Sequence, residues 1–200
     1  MLIGLTGKYC AGKNYVAALL ERRGFAVLDV DKLGHSAIES RKEAIITRFG
    51  EDVLSRDGSV DRRLLGEKVF GKEDELAALQ AIVHPEANRL TMEWVAAQNG
   101  GNCVVNAAVL HKSAAFDQLD CVILVSAPWF VRLVRAKRRD RLPWVSLIRR
   151  FSSQHQFHSQ YSSGNADIYK VGNSGIAGSK WVERRIDTIL TDLGRVLYHG

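Results

Sequence analysis

A glycine-rich loop set between a short apolar run and an amphipathic one constrains the folding of this chain more than any other feature. The first residues read MLIGLTGKYCAGKNYVAALL, and from Gly7 to Lys13 they follow the spacing G-x-x-x-x-G-K. Such a loop needs a strand to launch it, glycines that let backbone N–H groups curve around an anion, and a helix N-terminus beyond. All three are present. Leu2–Leu5 reads as the strand, Gly12 permits a turn that a side chain would obstruct, and Lys13 opens a helix with Val16, Leu19 and Leu20 on one face. Gly7, Lys8, Tyr9, Cys10, Ala11 and Gly12 therefore read as a phosphate cradle, with Lys13 reaching toward β- and γ-phosphates. Asn14 stands where a Ser or Thr hydroxyl usually binds Mg²⁺. Its amide oxygen is the candidate metal contact, direct or through a water, with an altered or weaker affinity expected.

Short runs rich in Val, Ile and Leu alternate with longer amphipathic stretches through the rest of the chain, the pattern of parallel strands joined by crossover helices. Strands are predicted at 2–5, 25–28, 103–106, 121–125 and 168–171. Helices are predicted at 13–23, 31–49, within 61–98, and at 128–139, 143–157 and 176–198. The fold class is thus α/β: a three-layer P-loop NTPase fold with a five-stranded parallel sheet. The gap between the second and third strands exceeds what one crossover needs, so a helical insertion over about 51–98 is expected within one domain spanning 1–200.

The net charge of +6 is concentrated in RLVRAKRRDR (132–141) and IRR (148–150), which points to an anionic partner: nucleic acid, a polyphosphate ligand, or merely solvent on a basic helix face. Arg135 and Arg139 are four residues apart on one helical face, suited to neutralising a transferring phosphoryl group from a lid over about 132–160. Asp140 could orient Arg139 or moderate the local charge. Asp29 and Asp31, in VLDVD, fall at the carboxyl end of the second strand, where open α/β sheets bind ligands. One of the two could instead cap the following helix. Three cysteines without paired spacing indicate neither a disulfide framework nor a zinc site. Cys10, among loop amides and lysines, is expected to favour the thiolate. His155 and His158 read as surface residues for want of a third ligand. No apolar run nears the roughly 20 residues that cross a bilayer, so a cytoplasmic protein without a membrane partner is expected.

Taken in order, these motifs resemble the dephospho-CoA kinase family over nearly the whole length. GLTGKYCAGK resembles its phosphate loop, VLDVD its acid pair, and DGSVDRRLLGEKVF with IVHPEA its acceptor-binding subdomain. RAKRRD resembles its lid, SSQ (152–154) the helix after it, and ADIYKVGNSG its last strand and adenine-side loop. The resemblance implies phosphorylation of the ribose 3′-hydroxyl of dephospho-CoA by ATP with Mg²⁺. It implies Asp31 as general base, Lys13 and Arg139 as phosphate-stabilising cations, and Asn173 as a contact beside the nucleotide base, while Arg135 is expected as a further nucleotide contact from its place on the basic helix. Arg62, His84 and Pro85 match the acceptor-side pattern. Two polyphosphate ligands would account for the basic surface without nucleic acid, while the oligomeric state is left open. Three residues depart from the family: Asn14, Ala107 in place of Pro, and His111 in place of Glu. Another nucleoside or nucleotide kinase, or a nucleotide-binding module without catalysis, remains the alternative.

Overall fold

The computed structural model describes residues 1–140, 142–152, 166–175 and 178–199. Five strands, β1 (Leu2–Gly7), β2 (Ala26–Asp29), β3 (Cys103–Asn106), β4 (Cys121–Ser126) and β5 (Asp167–Gly172), form one parallel sheet in the order β2-β3-β1-β4-β5. β1 lies at its centre, with Leu2 beside Cys103 and Ile3 beside Cys121. The central strands are buried on both faces, which explains their nearly continuous apolar runs.

Two compact units divide the chain: Met1–Leu28 with Gln98–Gly200, and Asp29–Ala97. In the first, α1 (Lys13–Glu21) and α8 (Gly178–His199) cover one face of the sheet. Ile3, Leu5, Val104 and Ile123 from the strands meet Leu19, Leu20, Ile186 and Ile189 from the helices, all fully buried. Truncating one of these to Ala should cost about 2–5 kcal/mol. On the opposite face Gly4 packs against Leu110 and Leu119, whose side chains occupy the space that a Cβ would need.

The second unit is helical: α2 (Val30–Ser40), α3 (Lys42–Phe49), α4 (Arg62–Val69) and α5 (Glu73–Ala97). Its core gathers Ile45, Phe49, Val53, Val60, Leu65 and Val69. One expectation needs correction here. The helix predicted over 31–49 breaks at Arg41, whose φ of −105° and ψ of 20° end α2. The break lets α3 send Ile45 and Phe49 into this core. The compact unit takes in α2 and α3, which pack against α5, as well as the helices over the expected insertion at about 51–98. A polar cluster ties these two helices: Glu86, its side chain 6% exposed, accepts from Arg89 at 2.7 Å and from Ser40 at 3.2 Å, with Arg41 3.5 Å away. No helix among the described residues is long and apolar enough to cross a membrane.

Candidate active site

The loop from Gly7 to Gly12 leaves the carboxyl end of β1 and runs straight into α1. Gly7 is needed for close approach: a Cβ there would stand 2.6 Å from the Val125 carbonyl oxygen of β4. Gly12 is needed twice over, since its φ is +96° and an added Cβ would lie 2.1 Å from the Asn173 side-chain nitrogen. Lys13 is the first residue of α1, and Asn14 is exposed in the same turn.

Above the loop lies α6 (Trp129–Asp140), whose arginines reach back to it. Arg132 Nη1 donates to the Tyr9 carbonyl at 3.3 Å, and Arg135 Nη1 donates to the Ala11 carbonyl at 3.2 Å. Asn173, just past β5, donates to the same Ala11 oxygen at 3.1 Å and accepts from Arg135 Nη2 at 3.2 Å. Arg135 and Asn173 thus clamp the loop backbone from chain positions far from it. Arg139 lies against the Tyr9 ring and bonds Asp140 through Nε at 2.7 Å. Beyond, α7 (Trp144–Ser152) places Phe151 under the Arg132 guanidinium, 4.8 Å from the ring centroid. Burial holds Arg132, only 8% exposed, below the usual arginine range. The rest of the expected lid beyond Ser152, with Ser153 and Gln154 of SSQ and with His155 and His158, lies outside the described residues.

The expectation of a thiolate at Cys10 is overturned. Burial pushes this thiol up, and the nearby Arg139, Arg132 and Arg135 offset that only in part. The lysines and amides that suggested a thiolate are outweighed by the desolvation that the packed arginine helix imposes. Cys121 is pushed further, to about 12, because it lies inside the sheet near Asp120 and Asp167.

A cavity of about 610 Å³ opens beside Asn173, at the carboxyl ends of β4 and β5. Ser126, Ala127 and Pro128 line one side, Gly172 to Ser174 another, and Trp181 of α8 forms an aromatic wall. The size suits a nucleobase with part of its sugar. Trp181 escaped the sequence reading, although an aromatic near the start of the last helix was the available signal. After β3, Ala107 N–H donates to the Leu5 carbonyl at 3.0 Å, a bond that Pro could not make. His111 lies in a 3₁₀ turn over Leu110–Lys112, its pKa lowered by burial and by Lys112.

In the helical unit the acid pair divides its work. Asp29 caps α2, accepting from Asp31 N–H at 3.2 Å, and Asp31 is exposed in the first turn of that helix. Much of DGSVD is structural. Asp57 closes a turn with Ser55 and Ser59, which holds its carboxyl down at about 2, and Asp61 caps α4. Arg62, exposed at the start of α4, has Nη1 2.5 Å from His35 Nε2. His35 was missed in the sequence, though it is one helical turn beyond Asp31. His84 and Pro85 are exposed on α5, with Pro85 inside that helix.

A central β1, a glycine loop opening onto α1, and an arginine helix bonded to that loop define a P-loop kinase. Shikimate kinase from Bacteroides thetaiotaomicron shares this fold at a TM-score of 0.53 and 13% identity, with 97% of this chain and 98% of that one covered. Residues 1–176 match the family described as dephospho-CoA kinase. A dephospho-CoA kinase from Treponema pallidum is 34% identical over 203 residues, covering 96% of this chain and 95% of its own. Another from Shouchella clausii is 38% identical, covering 88% of this chain and 90% of its own. A solved Thermus thermophilus structure superposes with a TM-score of 0.79 at 31% identity, covering 96% and 97% of the two chains. The chain belongs to the dephospho-CoA kinase family.

Proposed function

We infer that this chain transfers the γ-phosphoryl group of ATP to the ribose 3′-hydroxyl of dephospho-CoA, giving coenzyme A and ADP. Family membership supports the reaction, and the built phosphate loop is the observation that carries catalysis. Its amides and Lys13 hold the β- and γ-phosphates. The base enters the cavity beside Asn173 and stacks on Trp181. Asp31, two residues past the carboxyl end of β2, accepts the hydroxyl proton as the acceptor oxygen bonds to the γ-phosphorus. The bond from that phosphorus to the bridging oxygen breaks, and ADP departs with the electron pair. Arg139 balances the charge that develops on the transferring group.

Among the described residues, no group of three His, Cys, Asp or Glu side chains could form a metal cage. The exposed Asn14, in the first turn of α1 directly after Lys13, would offer its amide oxygen as the protein contact to a Mg²⁺ ion brought in with the nucleotide. Such an ion would supply positive charge that offsets the negative charge of the phosphates. Arg62, His84 and His35 receive the acceptor in this reading. ADP release from ATP with dephospho-CoA, compared with adenosine and nucleoside monophosphates, tests the assignment. Faster turnover of one of the latter would favour another small-molecule kinase, and ATP binding without turnover of any acceptor would favour a non-catalytic module.

A further inference from the structure

Within the phosphate loop, Tyr9 makes more contacts to the arginine helix and its neighbour than the loop motif requires. Its carbonyl accepts from Arg132, its ring meets the edge of Phe151 at 5.6 Å and 82°, and its hydroxyl donates to Asp140 Oδ2. The same ring carries the Arg139 guanidinium on its face, 5.0 Å from the centroid. Asp140 holds that guanidinium in its plane, accepting from Nε at 2.7 Å and from Nη2 at 3.2 Å. The arginine is therefore fixed on its face by the ring and on its edge by a carboxylate that the ring's own hydroxyl steadies.

Fixing matters because the Arg139 side chain is 60% exposed. An exposed arginine samples many rotamers, and a charge used only in the transition state must already stand where it is needed. At that exposure, solvent screens much of the charge of Asp140, so its main contribution is geometric. We propose that Tyr9 is a positioning residue for catalysis: through Asp140 and its own ring, it sets the location of Arg139 from within the phosphate loop. The loop that holds the donor phosphates thereby also places the cation that acts on the transferring group. This inference rests on the role given to Arg139 above.

Two measurements test it in the full-length protein. In steady-state kinetics, Tyr9→Ala should lower kcat about 10-fold, the order expected for losing a ring contact and a charge-assisted hydrogen bond, with KM for ATP nearly unchanged. Tyr9→Phe, which keeps the ring, should lose less. In an Arg139→Ala background, Tyr9→Ala should cost nothing more, since the residue it positions is gone. Additive losses, an unchanged kcat in Tyr9→Ala, or a higher kcat in Asp140→Asn would overturn the proposal. The second measurement does not depend on turnover. In ¹⁵N-arginine-labelled protein the Arg139 Nε–H resonance should be shifted and slowly exchanging, and should collapse toward the free-arginine position in Tyr9→Ala. A resonance unmoved by that substitution would overturn the proposal even in an active kinase, whereas a collapsed resonance in a protein without dephospho-CoA kinase activity would sink the functional reading alone.

Discussion

Replacing Gly12 with Ala should damage both stability and nucleotide binding, by an amount set by two separable costs. Gly12 sits at φ +96° and ψ 30°, and a residue with a Cβ pays about 1–2 kcal/mol to occupy the left-handed region. The new Cβ would also fall 2.1 Å from the Asn173 amide nitrogen. That amide, in a residue 6% exposed, would lose its bond to the Ala11 carbonyl, and an unpaired buried polar group costs about 1–3 kcal/mol. Together the costs reach about 2–5 kcal/mol, which lowers Tm by about 4–20 °C in a chain of 200 residues. Thermal unfolding and ATP titration calorimetry on the wild type, Gly12→Ala, Asn173→Ala and the double variant separate the two. In the Asn173→Ala background the clash is absent, so Gly12→Ala should cost only the dihedral part, about 1–2 kcal/mol. A Gly12→Ala protein that melts within about 2 °C of the wild type and binds ATP equally well would refute both terms.

Asp31→Asn should slow turnover by about 10²- to 10⁴-fold while ATP binding persists by calorimetry, since a general base acts in the transition state; near-normal turnover would remove Asp31 from the mechanism. Asn14→Ser should lower the free Mg²⁺ needed for half-maximal ATP binding, because a hydroxyl offers a more compact oxygen ligand; identical titrations would show that residue 14 is not a metal contact. Alkylation at pH 7 should be slow at all three cysteines and should favour the half-exposed Cys10 through access alone, its rate climbing steeply only in alkaline solution; peptide mapping that finds Cys10 as fast at pH 7 as at pH 9 would contradict this. The Arg89 guanidinium beside Glu86 holds its carboxyl below the usual range, so this group contributes stability that is complete above the unfolded carboxyl pKa and lost as pH falls through the folded one. Glu86→Gln should therefore flatten the acid limb of the stability profile below about pH 4.3, and an unchanged limb would count against it.

Local chemistry made the sheet legible. Each strand is built around Val, Ile or Leu, and the loop after β1 announces itself by glycine spacing, so strand positions agree with the sequence within two residues. What escaped depends on residues distant in the chain. Arg41 carries no breaker, yet α2 ends there because α3 must deliver Ile45 and Phe49 to a core shared with Leu65 and Val69. Asn173 meets Ala11 and Arg135 across separations of 162 and 38 residues, and no pattern in the loop announces that clamp. Cys10 misled because its sequence neighbours are cationic, while its protonation is governed by burial under α6. Acid pairing shows the middle case: a cap was one of two readings of VLDVD, and only the backbone geometry decides that Asp29 takes it.

The strand order also fixes a timetable for synthesis on the ribosome. β1 emerges first but occupies the middle of the sheet, and its two neighbours begin only at Cys103 and Cys121. At translation speeds of about 5–20 residues per second, Leu2, Ile3 and Leu5 wait on the order of ten seconds for both edges to be covered. Residues 29–97 are contiguous, and all of them are made within that interval. The nascent chain therefore carries an apolar strand with two open edges through that interval, which is the condition under which strands of different chains pair wrongly. Guarding the first seven residues until residue 126 has been made is a task that this topology hands to the cell.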